Sequence, residues 1–209
     1  MSALRKAVVS QFSRPHGLLG RLVGWIMATR PSNRQRNRWT LEQIAPVDGE
    51  ILLEVGCGPG LGLAEAAGRA PNATLTGLDH SATMLAQARA KLHAEAPGTR
   101  LDLVEGTHLW LAEQPQAFDA IWSVNVVQFF PDMEEAFRLI LGSLKPGGRV
   151  VTTYQPRHRN PTRADAIVMG ERITAAMEAA GFTDIRTAML ELEPVDAVSV
   201  YGARPKSLE

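Results

Sequence analysis

Three closely spaced glycines and one downstream carboxylate are the residues of this chain whose types and spacing point most directly to chemistry. The glycines are Gly56, Gly58 and Gly60, and they follow an apolar run at 51–55. Glycine lets the main chain turn tightly and approach a ligand without a Cβ in the way. Asp79 ends the next apolar run, and a carboxylate there can accept both hydroxyls of a ribose. The spacing therefore favours an adenosine-containing ligand.

Two buried strands and a helix would have to position these residues. The strands are expected at 51–55 and 74–78, because continuous apolar runs suit strands that are buried on both faces. The helix after the glycines would direct its N-terminal amides at the ligand. Two other interpretations stay open. The glycine loop can be an ordinary strand-to-helix connection, and Asp79 can simply cap the helix that begins near Ser81.

Four segments carry a resemblance to a known family. They are Glu54-Val-Gly-Cys-Gly-Pro-Gly60, Gly77-Leu-Asp79, Phe118-Asp-Ala-Ile-Trp-Ser-Val-Asn125 and Leu144-Lys-Pro-Gly-Gly-Arg-Val150. In this order and spacing the chain resembles the class I S-adenosylmethionine-dependent methyltransferases over residues 45–202. A nicotinamide-binding Gly-x-Gly-x-x-Gly that starts at Gly56 would instead need glycine where Leu61 stands. The resemblance implies S-adenosylmethionine as cofactor, S-adenosylhomocysteine as product, and methyl transfer to an O, N or C nucleophile of a small molecule.

Length and composition predict one α/β domain. The 209 residues are 45% hydrophobic, enough for one sizeable core but not for a second full domain. Further strands are expected at 100–104, 118–123, 149–154, 185–192 and 197–201, and helices at 81–95, 132–144 and 162–180. This alternation predicts a Rossmann-like, doubly wound, mostly parallel sheet with helices on both faces. The resemblance adds that the sheet has seven strands and that the last strand is antiparallel, inserted between the fifth and sixth.

The N-terminal segment is basic and has an amphipathic helical pattern. Before Glu42 the chain carries basic residues and no acidic one, although the net charge of the whole chain is zero. We divide the chain into an N-terminal helical lid segment at 1–44 and a methyltransferase domain at 45–205. A targeting peptide, a membrane-surface or acidic-partner helix, and simple core packing are alternatives for the first segment. Its apolar run is too short and too charged to span a bilayer.

The resemblance assigns a set of residues to the cofactor. They are Glu54, Gly56, Cys57, Gly58, Gly60, Asp79, His80, Met84, Gly106, Thr107, His108 and Asn125. Main-chain carbonyls of Gly56 and Asn125 would accept from the amino group of the methionine moiety, and residues around His80 and His108 would flank adenine. Many relatives carry an acidic residue where Thr107 stands. Met84 can equally be helix core, and His108 an exposed loop residue.

Methyl transfer from a sulfonium requires little chemical participation by protein side chains. A sulfonium already makes its methyl group electrophilic, so the protein mainly positions a nucleophile behind that methyl and excludes water. A general base is needed only for a poorly acidic hydroxyl or a protonated amine. The candidates are His80, His108, Tyr154 and His158, and no triad or carboxylate pair singles one out. The candidates for the substrate pocket are Trp25, Trp39, Gln128 and Phe129.

Several other functions are disfavoured by the sequence. Zero net charge does not suggest a nucleic-acid partner, and Asn125-Val-Val-Gln128 lacks the Pro-Pro pair typical of amino-methyltransferases of nucleic acids. The five histidines show no metal-ligand spacing, so we expect no metal. One cysteine excludes an internal disulfide and agrees with a cytoplasmic location. A noncatalytic cofactor-binding or regulatory module and a protein or RNA methyltransferase remain as alternatives.

Overall fold

The computed structural model describes residues 31–206, with one seven-stranded sheet between two layers of helices. The helices are α1 (Pro31–Ile44), α2 (Leu61–Arg69), α3 (Ala82–Glu95), α4 (Met133–Ser143) and α5 (Arg163–Ala180). The strands are β1 (Ile51–Val55), β2 (Thr74–Asp79), β3 (Arg100–Glu105), β4 (Phe118–Val124), β5 (Leu144–Tyr154), β6 (Thr183–Leu190) and β7 (Ala197–Ala203). Short 3₁₀ helices at His108–Glu113 and Val127–Phe129 follow β3 and β4.

The sheet has the predicted topology. Its strand order is β3-β2-β1-β4-β5-β7-β6, in which β7 is antiparallel to both of its neighbours and the other pairs are parallel. The fold class and the insertion of the last strand between the fifth and sixth are thus confirmed. The strand order reverses between β1 and β4, and ligands of such sheets bind in the crevice at the carboxyl ends of the strands there.

Each face of the sheet has its own apolar core. Leu52 of β1 and Trp122 of β4 face α1, α2 and α3, where they pack with Leu63. The next residue of β1, Leu53, faces the opposite side and packs with the cluster that contains Phe137 of α4. Leu52 and Leu53 are both 0% exposed, which explains why β1 reads as a continuous apolar run.

Helix α1 belongs to one of these helical layers. It packs across β4, β5 and β7 and lies beside α2. Leu41 and Ile44 are completely buried in the core, and the Thr40 hydroxyl lies 2.7 Å from the Thr153 hydroxyl of β5. Residues 31–44 therefore form part of the packed domain. The covering role was predicted for residues 1–44; residues 1–30 of this segment, including Trp25, lie outside the described residues.

Local side-chain chemistry sets most element boundaries. Asp132 accepts from the Glu135 amide as N-cap, so α4 begins one residue later than predicted. Helix α5 ends where Gly181 adopts a left-handed φ of 97°. The start of β5 was predicted wrongly at 149, because Leu144 already pairs with Phe118 before an irregularity in the register.

Candidate cofactor site

The glycine loop joins β1 to α2 and is held against the end of β2. The amides of Gly56 and Cys57 both donate to the Leu78 carbonyl, at 2.7 and 3.0 Å. Gly56, Gly58 and Gly60 all have positive φ, at 69°, 52° and 82°. A left-handed main chain strains residues that carry a Cβ, so the loop requires glycine at these positions.

The surroundings of the three glycines differ. A Cβ on Gly56 would lie 2.3 Å from Cγ2 of Val126, and one on Gly60 would lie 2.9 Å from Cα of Ala88. A Cβ on Gly58 would meet nothing within 4 Å. Gly56 and Gly60 therefore serve close packing, whereas Gly58 borders open space where a ligand can approach the main chain.

Asp79 is hydrogen-bonded directly to the main chain of Gly58. Its carboxylate accepts from the Gly58 amide at 2.8 Å and from the Ser81 amide at 2.9 Å. Burial raises the pKa of Asp79, and these two hydrogen bonds oppose the shift. Ser81, rather than Asp79, caps α3 by accepting from the Met84 amide. A carboxylate has about four acceptor positions, so Asp79 keeps capacity for ribose hydroxyls.

Glu54 belongs to β1, and its side chain packs beneath the glycine loop against the first turn of α2. A Cβ on Gly62 would be 2.3 Å from Glu54 Oε1, which shows how closely the helix covers the carboxyl group. Burial raises the pKa of Glu54 to about 8, and the Asp79 charge adds to the shift. The Leu63 amide opposes it, and Trp122 Nε1 lies near the carboxyl group but outside hydrogen-bond geometry. Glu54 therefore supports the loop from inside as a largely protonated carboxyl group at neutral pH.

Asn125 ends β4 next to the glycine loop. It has a left-handed φ of 57°, its amide donates to the Thr153 carbonyl at 2.8 Å, and its side-chain oxygen accepts from the Gln155 amide at 2.7 Å. The Asn125 carbonyl accepts from the Gln128 side chain at 2.8 Å. A carbonyl oxygen has two lone pairs, so this one retains capacity for a second donor.

The residues predicted to flank adenine lie beyond β2 and β3. The Gly106 amide donates to the Asp79 carbonyl at 3.0 Å, which fixes the two strand ends together. Thr107 is exposed and caps the following 3₁₀ helix. Met84 is only 3% exposed, so its side chain is largely core. The His108 ring is half-buried and lies 4.8 Å from the Phe130 ring, between centroids.

The Cys57 side chain points away from the open cleft. It is 4% exposed, and a Cβ on Gly77 of β2 would lie 2.9 Å from its sulfur. Burial raises the pKa of this thiol. A buried, protonated thiol is unreactive, so Cys57 contributes its main chain to the loop.

The four candidate bases have separate surroundings. His80 Nδ1 lies 3.7 Å from Asp79 Oδ1, and His158 Nε2 lies 3.3 Å from Asp165 Oδ2 at the start of α5. Burial lowers the pKa of His108, so its ring is neutral at pH 7 and able to accept a proton. Tyr154 packs in the core cluster on the α4 and α5 face, where burial raises its pKa. The structure does not assemble them into one catalytic group.

The predicted substrate-pocket residues lie on different elements. Gln128 is exposed and Phe129 is 61% exposed just beyond that strand, and Trp39 is half-buried on α1. Trp25 lies outside the described residues. Sequence reasoning missed a polar cluster in which Asn33, Arg36 and Gln155 are buried and Arg157 is exposed. The one sequence signal for this polar cluster was the position of Gln155 directly after the predicted fifth strand.

Comparisons with known proteins show which family the chain resembles. Residues 52–148 match the family model described as a methyltransferase domain. The chain is 30% identical over 184 residues to an uncharacterized methyltransferase, YdaC, of Bacillus subtilis (strain 168), covering 88% of this chain and 98% of that protein. It is 37% identical over 119 residues to the ubiquinone biosynthesis O-methyltransferase of Vibrio atlanticus (strain LGP32), covering 56% of this chain and 48% of that one.

Two further similarities extend the comparison. Identity to the trans-aconitate 2-methyltransferase of Variovorax paradoxus (strain S110) is 34% over 134 residues, covering 64% of this chain and 48% of that one. The chain thus spans about half the length of these two named enzymes. The same fold occurs in a solved structure of Haemonchus contortus phosphoethanolamine N-methyltransferase 2 with S-adenosylhomocysteine. The TM-score is 0.64 at 21% identity, and the match covers 82% of this chain and 53% of that one.

The sheet order, the glycine loop and Asp79 together define a class I S-adenosylmethionine-dependent methyltransferase. The chain belongs to this methyltransferase family. Its residues fit the cofactor, because Gly58 leaves the main chain open to a ligand and Asp79 retains acceptor capacity beside it. Among residues 31–206, no helix combines the length and apolarity needed to cross a bilayer.

Proposed function

We propose that this chain transfers the methyl group of S-adenosylmethionine to an O, N or C nucleophile of a small molecule. The observation that carries the proposal is that the Gly58 amide donates to Asp79 at 2.8 Å at the carboxyl ends of β1 and β2, beside the point where the strand order reverses. The similarity to a ubiquinone biosynthesis O-methyltransferase and to a trans-aconitate 2-methyltransferase supports a small acceptor.

Each residue of the site has a defined binding task in this proposal. Asp79 accepts the ribose hydroxyls, and the carbonyls of Gly56 and Asn125 accept from the methionine ammonium group. Glu54 keeps the start of α2 in place beneath the loop. When bound, the cofactor supplies an electrophilic methyl group, so the protein contributes orientation and exclusion of water. A neutral His108 can take a proton where the acceptor must lose one.

The acceptor would lie at the carboxyl ends of β4 and β5. Gln128 and Phe129 are exposed just beyond β4, and Trp39 of α1 is a further candidate for the pocket. We further propose that the segment 1–44, whose helix α1 packs on the sheet, helps to cover this region of the methyltransferase domain at 45–205. A cytoplasmic site of action agrees with a single, buried cysteine.

Turnover separates this proposal from a noncatalytic cofactor-binding module. Isothermal titration with S-adenosylhomocysteine measures binding, and release of that product from S-adenosylmethionine in the presence of a metabolite panel measures transfer. We expect saturable binding and acceptor-dependent product. Tight binding without transfer to any acceptor would favour the module. Transfer to RNA with binding that weakens steeply as salt rises would favour the nucleic-acid alternative.

A further inference from the structure

The residue that ends β4, Asn125, is held in a fixed orientation. Its left-handed φ of 57° ends the extended strand. Its amide donates to the Thr153 carbonyl of β5 at 2.8 Å, and its side-chain oxygen accepts from the Gln155 amide at 2.7 Å. Asparagine tolerates a left-handed main chain better than most residues, because its short polar side chain can form such local hydrogen bonds. The two bonds to the end of β5 therefore fix the direction of the Asn125 carbonyl.

This turn lies against the glycine loop. Val126 follows Asn125, and a Cβ on Gly56 would lie 2.3 Å from Cγ2 of Val126. Strands β2, β1 and β4 are neighbours in that order, so Asp79 and Asn125 end strands that are about 10 Å apart. In S-adenosylmethionine the sulfur atom joins the ribose to the methionine chain. A cofactor bound through its ribose at Asp79 and its ammonium group at Asn125 therefore carries the reactive methyl group between these two residues.

Gln128 reaches the same carbonyl with its side chain. Its side-chain nitrogen donates to the Asn125 carbonyl at 2.8 Å. Gln128 lies in the 3₁₀ helix Val127–Phe129 and is exposed. A carbonyl can only accept, so the amide end that faces Asn125 must be the nitrogen. The other end of the amide, Oε1, has no hydrogen-bond partner within residues 31–206.

Sharing one carbonyl sets the distance between Gln128 and the cofactor. A carbonyl oxygen has two acceptor positions, and the Gln128 nitrogen occupies one of them. An ammonium group at the second position would lie about 5 Å from that nitrogen. A short carbon chain joins the ammonium group to the sulfonium. The Gln128 amide is therefore next to the methionine moiety, and its unpartnered oxygen is available to a molecule that approaches the methyl group.

We propose that the Gln128 amide oxygen accepts a hydrogen bond from the methyl acceptor, which therefore presents an O–H or N–H group in this site. This inference rests on the proposed function, because it names the chemical class of substrate for the same site. An amide oxygen cannot donate, so it favours an alcohol, a phenol or an amine over a carboxylate, which only accepts. Gln128 is a substrate-binding residue in this assignment, and Asn125 positions it.

Two substitutions separate this role from a purely structural one. Gln128→Met removes both polar atoms at similar length, whereas Gln128→Glu keeps side-chain oxygens but has no donor for the Asn125 carbonyl. If Gln128 only anchors the turn, both variants lose the anchoring bond and behave alike. If its oxygen binds the substrate, Gln128→Glu retains binding that Gln128→Met loses.

The test titrates three probes by calorimetry into the full chain saturated with S-adenosylhomocysteine. Catechol and ethanolamine carry hydrogen-bond donors, whereas trans-aconitate carries none at neutral pH. We expect saturable binding of at least one donor probe, weakened about 5- to 10-fold in Gln128→Met and less than 3-fold in Gln128→Glu, because one hydrogen bond contributes about that factor. Gln116→Met is the matched control and should change affinity less than 2-fold, since Gln116 is also exposed but precedes β4 at the opposite edge of the sheet.

Three results would overturn the assignment. Equal weakening in Gln128→Met and Gln128→Glu would show that the side chain only anchors the turn. Tighter binding of trans-aconitate than of both donor probes would contradict the class of substrate, and an equal loss of S-adenosylhomocysteine affinity in Gln128→Met would assign the residue to the cofactor. Wild type that binds S-adenosylhomocysteine but neither donor probe refutes this inference and leaves methyl transfer standing, whereas failure to bind S-adenosylhomocysteine refutes both.

Discussion

Replacing Glu54 by Gln should change how the stability of the protein depends on pH. Glu54 is 2% exposed, and burial raises its pKa from 4.5 to about 8. Glutamine keeps the size and hydrogen-bonding character of a protonated glutamic acid but cannot ionise. The substitution therefore removes the titration and leaves the packing against Gly62 nearly unchanged.

The direction in which the free energy of unfolding changes with pH follows from which state of the protein holds the Glu54 proton. The folded state binds Glu54's proton up to about pH 8, whereas the unfolded chain releases it near its ordinary pKa of 4.5. Between these values the wild type therefore loses stability as pH rises, at about 1.4 kcal/mol per pH unit. From about pH 5.5 to 7.5, the free energy of unfolding of the wild type should fall by roughly 2.7 kcal/mol relative to Glu54→Gln.

Urea unfolding of the cofactor-free proteins at several pH values measures this difference. Glu105→Gln is the control, because it makes the same substitution at an exposed carboxylate at the end of β3. Its curve should run parallel to that of the wild type, and only the curve of Glu54→Gln should diverge. Parallel curves for all three proteins would refute the assignment of a protonated Glu54.

Two further substitutions test the cofactor site by calorimetry with S-adenosylhomocysteine. Asp79→Ala should weaken binding about 10- to 100-fold, since hydrogen bonds to a charged acceptor contribute about 1.5–3 kcal/mol. Asp132→Ala is the control: it also removes a carboxylate that accepts from the main chain, and it should bind normally. Unchanged affinity in a folded Asp79→Ala would contradict the ribose assignment. Gly58→Val should abolish detectable binding because the side chain would fill the open approach to the loop. Gly98→Val is the control for Gly58→Val, since Gly98 also has a positive φ, of 93°, and open surroundings, but lies away from the cleft. Equal affinities in the two variants would show that the ligand does not approach Gly58.

The sequence predicted the parts of the fold that depend on local patterns. The strand at 51–55 was recognisable because both faces are buried, and the glycine loop because its conformation is demanding for any residue with a Cβ. Helix α1 was harder to place. Asn33, Arg36 and Thr40 are buried polar residues, so α1 has no apolar stripe to mark it as a packed layer. These side chains are accommodated by hydrogen bonds to distant residues, which local periodicity does not record.

By itself, the sequence determined the element order, the cofactor class and the positions of Gly58 and Asp79. Those features follow from conformational and burial requirements that act within a few residues. Only the tertiary structure decided that Arg36 meets Gln155, 119 residues away, and that Arg157 joins it beside Asn125. The physical reason is that these residues meet where α1 packs across the sheet. Such a juxtaposition depends on how separate elements pack, and no spacing along the chain encodes it.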